Sequence, residues 1–425
     1  MKPILHKLKN DMSVLLVPQK GAQSMTLLVL CRVGSRYETT DVNGVSHFVE
    51  HLMFKGTTKR PNTQTISREL DRYGAEYNAY TDKDVTGYYI KMDAKKTPLA
   101  VDMLHDMLFH SKYDPKEINR ERSVIIEEIN MYEDNPRMHI DDLLEAALFP
   151  NSTLGWNIAG PREVIKIVSR EQLIRYRDAY YIPDRVTIVV AGKIVPGVMP
   201  LLQKTFGTVT RPKGRDAAFD PFCPPAKLHE PLAFQDKQTE QVQLGIAFHG
   251  LALGHADLAA ASLLATILGG SMSSRLFIQI RERRGLCYSV AASHQAREDV
   301  GVFGVLAGLD KTRVKEAVDA IRAELTKTTQ MPVTAEELRR AKDHIRGRTT
   351  LAFEDSATQA EWYGKQWLFQ KKIETPEEKM KRFERVTAAH IRNVAKHIFR
   401  PDVMASAVIG PFGSKENVKK LFRRI

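Results

Sequence analysis

Cysteine is scarce in this chain. Cys31, Cys223 and Cys287 are its three cysteines in 425 residues, and they stand far apart. An odd number at such spacing makes neither a disulfide framework nor a Cys-x-x-Cys metal site. The thiols read as core residues of a protein kept in a reducing compartment. Long apolar runs are also lacking. No stretch approaches the ~18–20 residues that a membrane-crossing helix needs, so no membrane partner is expected. The opening residues Met1 to Asn10 are charged and hold no apolar core of a secretory signal. They are also too poor in Arg and Ser for a transit peptide, which leaves the cytoplasm as the expected location.

Aromatic residues make up 8% of the chain, and they do not alternate with basic ones in any patch of the kind that grips single strands. The net charge of +12 therefore does not read as a nucleic-acid footprint. Its distribution says the same. Residues 1–210 carry 28 Lys+Arg against 26 Asp+Glu, a net of +2, and residues 211–425 carry 35 against 25, a net of +10. Residues 101–150 carry 5 against 12, a net of −7. The basic excess is spread along C-terminal helical stretches as solvated faces, and no nucleic-acid partner is expected.

What is present is a soluble globular composition, 43% hydrophobic and 27% charged, long enough for two or three domains. Within it stands His47-Phe48-Val49-Glu50-His51. Val45, Phe48, Val49, Leu52 and Met53 follow the spacing of a buried helical stripe, which leaves His47, Glu50 and His51 together on another face. Two neutral imidazoles four residues apart suit a borderline-soft cation such as zinc. The carboxylate between them reaches a water at the metal more readily than the metal itself. The order His-x-x-Glu-His is the inverted zinc-hydrolase motif.

A hydrolytic zinc site takes a third protein ligand. Residues 115–134 read as a helix, with Asp114 suited to the cap and Pro115 to the first turn. On it Glu117, Glu121, Val124, Ile125 and Glu128 share a side, with Glu127 one step around. A carboxylate on a buried stripe needs a partner, which a cation would supply. An acidic solvated face is the plainer reading of the same residues.

Residues 47–57, HFVEHLMFKGT, resemble the insulinase-type metallopeptidases, closest to the mitochondrial processing peptidase branch and its bacterial relatives. That family reads His-x-x-Glu-His, then 76 residues, then Glu. Here 76 residues, 52–127, separate His51 from Glu128. The resemblance implies a Zn²⁺ cofactor held by His47, His51 and Glu128, with Glu50 as the base and Glu121 as an assisting acid. It also matches Arg281 and Tyr288, seven apart, to a pair that meets substrate. It matches Asn78-Ala79-Tyr80-Thr81 to an edge strand that binds an extended peptide through Asn78, Ala79 and Thr81.

Two similar halves run along the chain. Apolar strands open and close each half, and helices and hairpins lie between. The fold class expected is α+β: two similar domains, each with an antiparallel-rich sheet flanked by helices, as the family has around a chamber. The boundaries expected are residues 1–210, a Pro-rich linker at 211–230, and 231–425. Because His47–His51 and the Arg281/Tyr288 pair lie on one chain, a homodimer acting on peptides is expected. The reading is a zinc endopeptidase that cleaves peptides or unfolded segments inside a closed chamber. The alternatives are a non-catalytic assembly subunit of the same fold and a zinc hydrolase that is not a protease. The long glycine-rich loop of the family's non-catalytic partner is reduced here to Gly269-Gly270-Ser271, and the basic chain suits basic presequences poorly, so presequence cleavage is not expected.

Overall fold

The structure, a computed structural model, describes residues 2–210 and 219–422, so most of the expected linker's first half lies outside the described residues. The strands, in chain order, are β1 (Ile4–Lys7), β2 (Ser13–Pro18), β3 (Ser24–Cys31), β4 (Glu76–Thr81), β5 (Thr86–Asp93), β6 (Val186–Gly192), β7 (Leu232–Asp236), β8 (Gln241–Gly250), β9 (Cys287–Ala296), β10 (Gly301–Asp310) and β11 (Ala405–Gly410). The helices needed below are α1 (Val45–Leu52), α2 (Pro115–Asp134), α3 (Pro136–Leu148) and α4 (Ser356–Gln370).

The first sheet has the order β1-β2-β6-β3-β5-β4 and the second β7-β11-β8-β10-β9. In the first, β2 and β6 are parallel and the other neighbours antiparallel. In the second, β7 and β11 are parallel and the rest antiparallel. From β2 onward the two sheets thus share one topology, with the strands that close each half, β6 and β11, in the same place. The α+β architecture and its duplication stand as expected.

The central strands show why they lie where they do. β3 and β6 are buried along almost their whole length, as apolar runs covered on both faces are. Alternate side chains go to opposite faces. Met25, Leu27, Val29, Ile188 and Val190 join the large core with Val45, Phe48 and Val49 of α1. Leu28, Leu30, Val189 and Ala191 turn to the other face, where Ala360, Tyr363 and Leu368 of α4 cover them. In the second sheet Ala247, Ala405, Ala407 and Ile409 are covered likewise by Ile140, Leu144 and Leu148 of α3.

These two covering helices are exchanged relative to the chain order. The first compact unit comprises the described residues of Met1–Asn130, Trp156–Phe219 and Thr350–Thr375, and the second those of Met131–Gly155, Asp220–Thr349 and Pro376–Ile425. A division at 210 and 231 therefore does not coincide with the units. The physical reason is that an amphipathic helix encodes that it covers a sheet, not which sheet. Residues 272–284 read as a helix in the sequence, and within them Phe277–Glu282 is wound with the wider π pitch.

Candidate metal centre

Helix α1 begins at a position only glycine fills. Gly44 caps it at φ +95°, and a Cβ there would meet the Ala159 carbonyl oxygen at 2.4 Å. The first turn is then satisfied from a distance in sequence. Glu38 accepts from the Gly44 amide through Oε2 and from the Ser46 amide through Oε1, both at 2.7 Å. Burial pushes the Glu38 carboxyl up to about 7, although these amides and Asn43 pull the other way. Val45, Phe48, Val49 and Leu52 are buried, as the stripe predicts, and the opposite side presents His47 and His51.

Helix α2 supplies the carboxylates. Its buried positions are Ile118, Glu121, Ile125 and Ile129. Val124, expected on the buried side, is instead 45% exposed, and Glu128 is half-buried beside the stripe rather than on it. The expectation placed the apolar stripe about one step too far around the helix, because Val124 and Ile125 are equally apolar and only packing separates them.

His47 Nε2 and His51 Nε2 lie 3.2 Å apart. Glu128 Oε2 is 3.7 Å from the first and 3.5 Å from the second. One ligand atom from each of the three falls within 4.8 Å of the others, and these residues are the one such group of three among the described residues. A tetrahedral centre with Zn–N bonds of ~2.0–2.1 Å separates two nitrogens by about 3.3 Å, which is close to the spacing found. The donor set, two imidazoles and one carboxylate, is also that of zinc hydrolases. The residues therefore fit the ion.

Their surroundings orient them. Glu121, 1% exposed, lies between His51 Nδ1 at 3.1 Å from its Oε2 and the Lys55 ammonium at 2.7 Å from its Oε1. Burial raises the Glu121 carboxyl, but these two donors prevail and hold it below its ordinary value. Burial and the neighbouring His51 depress His47 to about 4. Burial also opposes a charge on His51, yet Glu121 and Glu128 together raise it to about 9 in the metal-free chain. Glu50 stands next in line. Its Oε2 accepts from the Thr81 hydroxyl at 2.5 Å. Burial raises the Glu50 carboxyl, against the pull of Thr81 and His51.

His47, Glu50, His51, Thr81, Glu121 and Glu128 are thus brought together in the first unit. Asn78 and Ala79 lie on β4, which is an outer strand of its sheet. Ala79 is buried and Asn78 exposed, with the Asn78 side chain accepting from the Ala79 amide at 2.9 Å. Arg281 and Tyr288 form a pair in the second unit. The Arg281 guanidinium is 5.5 Å from the centre of the Tyr288 ring and 4.8 Å from that of Phe277, and Tyr288 is 67% exposed.

Two functional contributors escaped the sequence reading: Glu38 at the head of α1, and Lys55. Lys55 had a signal, since it stands four residues after His51 within the motif-bearing run. Hydrogen-bonded carboxylates behind metal-binding imidazoles typically change affinity ~10–100-fold when disturbed. Lys55→Met is expected to weaken zinc binding about tenfold, read by competition with a chelator, with Lys55→Arg close to wild type. Equal affinity in all three proteins would show that Lys55 does not act through Glu121.

Two α+β units of one topology, one of them bearing a His-His-Glu group on a helix pair, define a class of metallopeptidase fold. Models of that class match this chain: the insulinase domain of peptidase family M16 over residues 13–162, and the peptidase M16 inactive domain over 168–345. An uncharacterized zinc protease of Bacillus subtilis, YmxG, is 34% identical over 96% of this chain and 98% of its own. An uncharacterized zinc protease of Streptomyces coelicolor is 33% identical over 93% of this chain and 87% of its own. The fold is that of a protease from Helicobacter pylori (TM-score 0.87, 22% identity, 96% of this chain and 99% of that one). It is equally that of a peptidase M16 inactive domain from Pseudomonas fluorescens (TM-score 0.88, 17% identity, 97% and 98%). The chain belongs to the insulinase family, peptidase family M16.

Proposed function

We propose that this chain is a zinc-dependent endopeptidase acting on peptides or unfolded segments. The observation that carries the reading is the convergence of His47, His51 and Glu128 within 4.8 Å, with Glu50 held beside them by Thr81. Zinc, when bound there, supplies Lewis acidity, lowering the pKa of water toward ~7 and polarising a carbonyl.

The chain's own residues do the rest. Glu50 is oriented by Thr81, takes a proton on its carboxylate and returns it to the leaving amine. Glu121 fixes the His51 ring by accepting from Nδ1, which leaves Nε2 for the metal. The outer strand β4 offers its free edge to an extended peptide, with Asn78, Ala79 and Thr81 along it. The Arg281 fork and the exposed Tyr288 hydroxyl offer donors for substrate carbonyl or carboxylate groups. We place the protein in the cytoplasm as a homodimer.

Zinc-assayed protein incubated with a mixed peptide library tests the reading. Cleavage is expected to stop on chelation and to return with zinc. Protein that carries stoichiometric zinc yet leaves every peptide intact would overturn the protease reading and keep the metal. Light scattering is expected to give twice the 48.1 kDa chain mass; a fully active monomer would remove the dimer.

A further inference from the structure

A cavity of about 830 Å³ opens on the first unit among Thr65, Arg68, Arg72, Tyr73, Lys95 and Lys96. It uses none of the residues of the metal centre. Four cationic side chains line it, and one carboxylate, Glu69. That carboxylate is committed elsewhere. The buried Arg60 donates to it from both prongs of its guanidinium, Nε to Oε2 at 2.6 Å and Nη2 to Oε1 at 3.0 Å. The cavity therefore faces solvent with four positive charges and no free carboxylate of its own.

This concentration is local. Residues 1–210 are almost neutral, with 28 basic against 26 acidic residues, so it does not follow from a uniformly basic surface. Arg68 and Arg72 stand four apart at the C-terminal end of the helix Thr63–Asp71, where the helix dipole favours cations and offsets the repulsion between them. Tyr73 holds two of the heads in place without neutralising them: the Lys96 ammonium lies 4.3 Å from the centre of its ring and the Arg72 guanidinium 5.5 Å. Cations gathered on one wall, whose single carboxylate is already held by Arg60, leave a positive field that an anionic ligand matches.

We propose that this cavity binds a small organic phosphate. Guanidinium forks and ammonium groups together match a multiply charged tetrahedral oxyanion, which accepts from several donors at once. Pro98, Leu99 and the Tyr73 ring offer an apolar wall for the uncharged part of the ligand. The volume lies within the ~300–1,000 Å³ of small-molecule pockets. A membrane or a nucleic acid would call for a broad positive field, which the near-neutral first half does not supply.

Calorimetric titration of the zinc-loaded full chain with adenosine monophosphate and with inorganic phosphate tests the proposal. Saturable one-to-one binding of adenosine monophosphate is expected. It is expected to weaken at least tenfold in the double variant Arg68→Gln/Lys96→Gln and to stay unchanged in Lys166→Gln, an exposed cation elsewhere on the same unit. The double variant is expected to keep its zinc content and melting temperature, since Arg68 lies at the surface and Lys96 is only half-buried. Equal binding of inorganic phosphate would support the site and assign recognition to the phosphate alone. Absence of saturable binding of both probes overturns the proposal, and so does equal weakening in Lys166→Gln. Binding of RNA or anionic vesicles that the double variant loses, without any binding of adenosine monophosphate, overturns it in favour of a macromolecular partner.

Discussion

Glu50→Gln is expected to lower kcat/KM for peptide hydrolysis by about 10²–10⁴-fold while zinc remains bound at one per chain. The separation of these two readouts follows from the geometry. Glu50 is not among the three residues whose ligand atoms converge, so its loss removes no ligand. The Thr81 hydroxyl donates to it at 2.5 Å, and an amide oxygen still accepts that bond, so the side chain is expected to keep its place. What glutamine cannot do is take a proton. Burial raises the carboxyl of Glu50 above its ordinary value, which makes the carboxylate a stronger base than an exposed glutamate. His51→Ala gives the contrasting pattern, because it removes a ligand: zinc and activity are expected to fall together. A Glu50→Gln protein that holds zinc and still cleaves at the wild-type rate would end the role assigned to Glu50 and leave the metal group untouched.

The parts of this site that were legible in the sequence are those fixed by local geometry. His47 and His51 are four apart on a helix, and the helix is marked by Val45, Phe48, Val49 and Leu52, all buried. Glu128 stands apart from Glu127 both by its apolar neighbours Val124 and Ile125 and by its count from His51 through a family resemblance, and the first ground fails in part, because Val124 is exposed. Glu38 and Lys55, and the bond from Thr81 to Glu50, show what a sequence hides. Each acts through a contact that the fold makes: Glu38 with the Gly44 and Ser46 amides, Lys55 with Glu121, and Thr81 with Glu50 across 31 positions. Strand placement was legible for the long apolar runs β3 and β6 but not for the short β1 and β7, whose four and five residues carry little pattern. The sequence reads as helical at 138–148 and 355–370, close to α3 and α4. Their exchange between units was not visible, because covering residues such as Leu144 and Tyr363 are apolar whichever sheet they meet.

That exchange makes a remote helix necessary to the metal-bearing unit, and Tyr363→Ala is expected to show it. Tyr363 is 2% exposed and lies in the layer that closes the face formed by Leu15, Leu28, Leu30, Val189 and Ala191. The approach is close: a Cβ on the neighbouring Gly364 would meet Leu30 Cδ1 at 2.6 Å and Val189 Cγ2 at 3.0 Å. Truncating a large buried ring costs ~3–5 kcal/mol, a large share of the ~5–15 kcal/mol that holds a typical domain together. The opposite face of the same strands carries Leu27, Val29, Ile188 and Val190, on which Val45, Phe48 and Val49 of α1 rest. Loss of α4 therefore loosens the floor beneath His47 and His51 from the far side of the sheet. By the same argument residues 1–210 alone, lacking 350–375, are expected neither to fold cooperatively nor to retain zinc. Denaturant unfolding followed with a zinc assay reads both effects. A fragment 1–210 that binds zinc as tightly as the full chain, or a Tyr363→Ala protein of undiminished stability, would show that the first sheet needs no cover from the second half of the chain.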